Sequence, residues 1–283
     1  MTTDGPGRAT ARRHGRAGRD LRAATAVGLG LAALVLGTLF IWKPAFVGLA
    51  VVAVAVAAWE LAEALATRGL RFPLVPVLLG SVLMLVGAYT GSEETLVVAL
   101  SLTIVAVLAW RLGENAPGYL RDVTAGVFVA VYVPFLAGFA MLLLQPADGP
   151  WRVLTCILVV AASDTGGYIA GVLTGRHPMA PTVSPNKSWE GFAGSGLACV
   201  AVGVLAVVIL LDGDWRAGVA LGVAAVFTAT LGDLGESMIK RDLRLKDMST
   251  LLPGHGGIMD RLDSLLPTAP VAWLILTALV PVT

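Results

Sequence analysis

Long apolar runs, broken by short polar intervals, occupy most of this chain. A membrane-spanning helix needs about 20 mostly apolar residues. At that length the sequence offers nine candidate spans, near 23–42, 44–62, 73–90, 95–110, 122–144, 151–173, 191–211, 216–236 and 262–281. The second and fourth are short or interrupted. Gly and Pro recur inside the runs, as they do where helices pack on helices in lipid. The pattern predicts an all-α fold, a polytopic membrane helix bundle with about nine transmembrane helices. A Gly-, Arg- and Ala-rich tail over 1–22 is expected to be disordered; 23–150 carries the N-terminal helices and 151–283 the C-terminal ones.

Composition makes the bilayer the solvent. Of the 283 residues 57% are hydrophobic and 14% charged, with a mean hydropathy of +0.82; soluble domains carry about 25% charged residues. The Arg-rich tail before the first run invites a signal-peptide reading. That run is too long for one, and Lys43-Pro44 leads directly into another span.

The charges also orient the bundle. With the N-terminus in the cytoplasm, the inside segments hold the tail arginines, Arg68, Arg71, Arg111, Arg121, Arg176, Lys187, Lys240, Arg241, Arg244, Lys246 and Arg261. Only Lys43, Arg152 and Arg216 remain outside, a steep positive-inside bias. Two inside intervals, 174–190 and 237–261, are long enough to read as cytosolic loops, so function is expected there and at the helix ends that feed them.

Candidate chemistry gathers in the same two places. Asp233, Ser237 and Lys240 share one helical face at i, i+4, i+7, and Glu236 can pair with Lys240 at i+4. Such a face suits a cation and phosphates better than lipid. Pro253-Gly254-His255-Gly256-Gly257 follows, where glycines let backbone N–H groups approach an anion. Asp260, Arg261 and Asp263 open the last span, the two aspartates one turn apart. Arg241, Arg244 and Lys246 can equally serve as anchors for a helix end. Asp164 lies within the sixth span, where a charge is costly, either as a functional group or as a buried carboxylate satisfied by Thr165 or Tyr168. Lys187 is either a phosphate contact or a solvated charge.

Other site chemistries are excluded. No GxxxxGK[ST] or GxSxG occurs, and Gly28 with Gly30 lacks a third glycine. Cys156 and Cys199 lie in apolar runs and, with three histidines, leave no zinc set.

The stretch Ser237, Lys240-Arg241, Lys246-Asp247, Pro253-Gly254-His255-Gly256-Gly257, Asp260-Arg261, Asp263 is similar to the signature of phosphatidate cytidylyltransferases (CDP-diacylglycerol synthases), without departure. A second block, Ser163-Asp164-Thr165-Gly166-Gly167-Tyr168 through Ser184-Pro185-Asn186-Lys187-Ser188-Trp189-Glu190-Gly191, resembles the same family. It differs in having Asn186 where a lysine is usual and Ser188 in place of threonine, which puts a second positive charge in doubt.

The resemblance implies that the phosphate of phosphatidic acid attacks the α-phosphorus of CTP and releases pyrophosphate. It implies Asp233 and Asp260 as ligands of Mg2+, with a second metal ion allowed and Asp263 supporting the metal. Ser237, Lys240 and Lys187 would contact phosphates. Asp164, Arg241, His255, Gly256, Gly257 and Arg261 would bind substrate. The expected partners are CTP, phosphatidic acid and membrane lipid, with a homodimer allowed and no nucleic acid. The expected place is the inner cell membrane, with the site on its cytoplasmic face. A related polyprenol or phytol kinase is the alternative, and an ion-coupled transporter a more distant one.

Overall fold

The computed structural model describes residues 17–114, 117–249, 251 and 256–282. Among them the chain runs through α1 (Ala17–Ile41), α2 (Lys43–Ala66), α3 (Leu74–Thr90), α4 (Glu93–Leu112), α5 (Tyr119–Leu144), α6 (Gly149–Thr174), α7 (Trp189–Leu210), α8 (Trp215–Leu243) and α9 (Met259–Leu279). Each candidate span falls on one of these. Seven of the described helices are long and apolar enough to cross a membrane, and the apolar parts of α1 (Thr25–Ile41) and α3 are shorter. The second and fourth intervals, short by sequence, are full helices of 24 and 20 residues. Residues 17–22, expected in the disordered tail, are helical in α1, while residues 1–16 lie outside the described residues.

Local sequence explains the breaks. Trp42 is extended, and Pro44 then sits in the first turn of α2, where its missing N–H costs nothing. Within α5, Pro134 falls in a π-helical turn over Val131–Phe135, which absorbs the interrupted ladder without ending the helix. Asp214 caps α8 by accepting from the Arg216 N–H at 2.8 Å. Arg152, buried on α6, pairs with Asp148 at 2.9 Å and donates to the carbonyls of Leu276 and Val280, closing the C-terminus of α9.

The structure departs from the loop expectation in two places. The 174–190 interval contains an antiparallel hairpin, β1 (Pro178–Ala180) with β2 (Ser184–Ser188). The 237–261 interval is helical as far as Leu243, because α8 continues past its apolar stretch.

Helices α6 to α9 form the wall of the site, and small residues bring them together. In lipid nothing apolar drives helices together, so close backbone approach supplies the packing energy. A Cβ on Gly166 of α6 would meet Ala198 Cβ of α7 at 2.6 Å, and one on Gly222 of α8 would meet Val200 Cα of α7 at 2.5 Å. A Cβ on Gly232 would lie 2.2 Å from the Asp263 carbonyl oxygen, which fixes α8 against α9 beside two aspartates. Large apolar side chains such as Leu79, Leu102, Leu197 and Leu205 face outward, as a lipid-facing surface requires.

Candidate active site

Asp164 enters from α6, Lys187 from β2, Asp233 from α8, and Asp260 and Asp263 from α9. All five line one cavity of about 370 Å³, together with the polar side chains of Asn186, Ser188 and Ser195. The Ser195 hydroxyl donates to the Ser163 carbonyl at 2.6 Å, tying α7 to α6 at the cavity wall.

The Lys187 ammonium pairs with Asp233 across the cavity, and the Ser237 hydroxyl, one turn further along α8, donates to the other Asp233 oxygen at 3.4 Å. The hairpin that carries Lys187 is tethered twice. Arg241 Nε donates to the Val183 carbonyl at 3.2 Å, and Glu190 accepts from the backbone N–H of Arg176 and His177 and meets His177 Nδ1 at 2.6 Å.

A second ion-pair group lies deeper. Lys240 donates to Glu236 at 2.7 Å and to Asp260 Oδ1 at 2.8 Å. The other Asp260 oxygen accepts from the backbone N–H of Gly257 at 2.8 Å and of Met248 at 3.2 Å. Both oxygens of Asp260 are therefore engaged by protein donors, as both oxygens of Asp233 are by Lys187 and Ser237. Gly256 has φ +76°, a conformation glycine adopts without strain, and this turn presents the Gly257 N–H to Asp260.

The lining contains four carboxylates, Asp164, Asp233, Asp260 and Asp263, against one ammonium, Lys187. Asp164 makes no hydrogen bond or ion pair among the described residues, and Asp263 Oδ1 accepts only the neighbouring Ser264 N–H at 2.7 Å. No three His, Cys, Asp or Glu side chains among the described residues converge to hold a metal by themselves. The donor set still suits Mg2+, a hard cation that usually takes one or two carboxylates and completes its shell with water and substrate phosphates.

Of the residues singled out from the sequence, Asp164, Lys187, Asp233, Asp260 and Asp263 meet in the cavity, and Ser237 and Lys240 stand directly behind it. Arg241 holds the hairpin, Arg261 is exposed on the first turn of α9, and Gly256 with Gly257 shapes the turn at Asp260. His255 lies outside the described residues. Sequence reasoning missed Glu60 of α2, which is 1% exposed and accepts from the N-terminal N–H groups of α9. A carboxylate inside an apolar run was the available signal. It also missed Tyr132, in the π-helical turn, whose buried hydroxyl has no hydrogen-bond partner among the described residues.

The model of the Cytidylyltransferase family matches residues 22–279. A phosphatidate cytidylyltransferase of Mycobacterium leprae is 42% identical over 280 residues, covering 93% of this chain and 90% of its own. Another, of Mycobacterium bovis, is 42% identical over 277 residues, with 93% and 90% covered. One from Haemophilus influenzae is 31% identical over 270 residues, covering 85% and 93%.

Proposed function

The chain belongs to the cytidylyltransferase family, and from that premise we propose that the aspartate-lined cavity is where its two substrates meet. The protein is an integral membrane nucleotidyltransferase that joins CTP and phosphatidate into CDP-diacylglycerol. The observation that carries the site assignment is the gathering of four carboxylates and a lysine in one cavity that opens beside exposed apolar side chains of α6. Tyr168 lines the cavity and is 73% exposed, next to the exposed Ile169 and Val172 on the outer face of α6. A phosphatidate headgroup can enter there while its acyl chains stay in the bilayer.

In the proposed reaction a phosphate oxygen of phosphatidate forms a bond to the α-phosphorus of CTP. The bond from that phosphorus to the β-phosphate oxygen breaks, and pyrophosphate leaves with the electron pair. The nucleophile is already an anion, so no strong base is needed; the difficulty is bringing two polyanions together. Of the cavity's aspartates, Asp233 with Asp260 or Asp263 would hold Mg2+, water and substrate phosphates completing its shell, and Asp164 would add its charge beside it. When bound the cation supplies positive charge to the phosphates. Lys187 exchanges its contact with Asp233 for a phosphate oxygen. Ser237 holds Asp233 in place, and Lys240 fixes Asp260 and the turn beside it. His255 and Arg261 are assigned to the triphosphate by the family resemblance alone, and a second metal ion rests on that resemblance too. The reading places the site at the cytoplasmic face of the inner membrane, where CTP is available, in keeping with the positive-inside charge pattern.

The test is turnover by purified protein in detergent, with phosphatidate, Mg2+ and CTP labelled in its α-phosphate. The label should enter lipid with one pyrophosphate released per lipid product. Release of CDP instead would identify a kinase and overturn the reading. Label in lipid from an Asp233→Asn protein at the parent rate would overturn the site.

A further inference from the structure

Glu60 sits on α2, in the N-terminal part of the chain, far in sequence from every residue of the cavity. It is 1% exposed and does not line the cavity. Its Oε1 accepts from the Ile258 N–H at 3.1 Å and from the Ser249 hydroxyl, and its Oε2 accepts from the Met259 N–H at 2.8 Å. Those two N–H groups belong to the start of α9. A helix start leaves its first N–H groups without partners and carries partial positive charge, so a buried carboxylate is well matched to it. Most helices take such a cap from a residue just before them. This one is capped from another helix.

The carboxylate also packs closely against the neighbouring turn. A Cβ on Gly257 would lie 2.7 Å from Glu60 Oε2 and 2.9 Å from both Cδ and Oε1. A side chain at 257 would have to push the Glu60 carboxylate off its N–H partners, and with glycine there the Gly257 N–H reaches Asp260 at 2.8 Å. Glu60 therefore holds three points in one place: Ser249 in the segment after α8, the turn at Gly257, and the first turn of α9. Asp260 and Asp263 are on that turn and the next.

We propose that Glu60 is a positioning residue for cytidylyl transfer, setting the register of α9 so that Asp260 meets Lys240 and Asp263 faces the cavity. The proposal rests on the assignment of the cavity as the active site. It predicts an effect on turnover with little effect on nucleotide affinity, because Glu60 touches neither substrate. Displacements on the order of 1 Å at a reacting centre cost about 100-fold in rate.

The test compares Glu60→Gln, Glu60→Asp and the parent, purified in detergent. Gln keeps the size but turns an N–H donor toward backbone donors; Asp keeps the charge but is shorter. Glu60→Gln should lower kcat by about 10- to 100-fold with the KM for CTP within about threefold, and Glu60→Asp should recover part of the loss. Equal kcat in parent and Glu60→Gln, or a loss seen wholly in KM, overturns the proposal. If Glu60→Gln does not yield folded protein, Ser249→Ala removes one contact of the same clamp from a partly exposed position. A several-fold fall in its kcat at unchanged melting temperature supports the clamp, and an unchanged kcat overturns it. Asp233→Asn run alongside separates the two ideas: parent-like activity there removes the site assignment, whatever Glu60 variants do.

Discussion

The ammonium of Lys187, on the second strand of the hairpin, is paired with the carboxylate of Asp233, on α8. Neither side chain is sealed away; 24% of the lysine and 36% of the aspartate remain exposed to the cavity. A half-open pair of this kind contributes little to stability, about 0–1 kcal/mol. Its place in the site matters more: on the proposed reading Lys187 would turn to a phosphate and Asp233 to a cation when substrates arrive. Asp233→Asn should lower kcat about 1,000-fold or more, and Lys187→Ala about 100-fold, by loss of charge at the phosphates. Both proteins should keep the parent's melting temperature to within a degree or two. Incorporation of labelled CTP into lipid, measured beside thermal unfolding in detergent, checks the pair of outcomes. An Asp233→Asn protein that turns over normally would remove this aspartate from the site.

Asp260 should behave differently from Asp233, although both belong to the same signature. Its side chain is 8% exposed, that of Lys240 16%, and it also accepts two backbone N–H groups. Breaking a buried ion pair by removing one partner typically costs about 3–5 kcal/mol, because the remaining charge stays buried. Glu236 still holds Lys240 at 2.7 Å, so the lower end of that range applies. Asp260→Asn should therefore lose both turnover and several degrees of melting temperature, whereas Asp233→Asn loses turnover alone. Identical melting curves for the two variants would mean that Asp260 does not organise the turn.

These two aspartates show what could be read in advance. The face formed by Asp233 and Ser237 was legible because helical periodicity alone brings them together. The aspartates at the start of α9 were legible as a carboxylate cluster near lipid. The contacts of Asp260 were not, since they depend on Lys240 and Gly257 reaching it from elsewhere in space. The helix positions followed from the solvent, because lipid demands long apolar runs. The hairpin did not, since Ser184–Ser188 contains a proline and no alternation of polar and apolar residues. The end of α8 was misplaced because its last two turns leave the apolar zone while the backbone remains helical to Leu243. Glu60 showed only as an acid in an apolar run, and its partners lie at the other end of the chain.

With Asp233 paired to Lys187 and Asp260 to Lys240, Asp164 and Asp263 are left as further negative charge in the cavity, which on the proposed reading a cation must offset before phosphate can approach. Stripping divalent metal with a chelator should abolish turnover, and Mg2+ should restore it. Asp164 has no protein partner among the described residues, so its carboxylate is available to the cation. Asp164→Asn should then raise the Mg2+ concentration needed for half-maximal rate by about tenfold or more. The measurement is a Mg2+ titration of initial rate for parent and variant. Full activity in chelator, or an unshifted titration for Asp164→Asn, would count against this assignment.

Close packing of α8 on α9 gives a prediction with its own control. A methyl group on Gly232 would meet the Asp263 carbonyl oxygen at 2.2 Å, a backbone atom that cannot move aside. One on Gly235, three residues further along the same helix, would meet nothing within 4 Å. Gly232→Ala should lower the melting temperature and cost activity, by forcing the two helices apart at the cavity. Gly235→Ala should be neutral or stabilising by up to about 1 kcal/mol, as alanine favours the helix over glycine. Thermal unfolding of both variants decides the matter; equal behaviour would mean that the α8–α9 contact is looser than described.

The cytoplasmic placement of the site can be tested with single cysteines. The two native cysteines, Cys156 and Cys199, are buried, so background labelling should be low. Lys246 is exposed just beyond the end of α8 that carries Lys240, and Arg216 is exposed at that helix's opposite end. Helix α8 has 29 residues, and at 1.5 Å per residue its ends lie about 43 Å apart, enough to reach both membrane faces. A membrane-impermeant thiol reagent applied to intact cells should label Arg216→Cys and spare Lys246→Cys. In inside-out vesicles the pattern should reverse. Labelling of Lys246→Cys from outside intact cells would place the signature loop, and the cavity it serves, on the wrong side for cytosolic CTP.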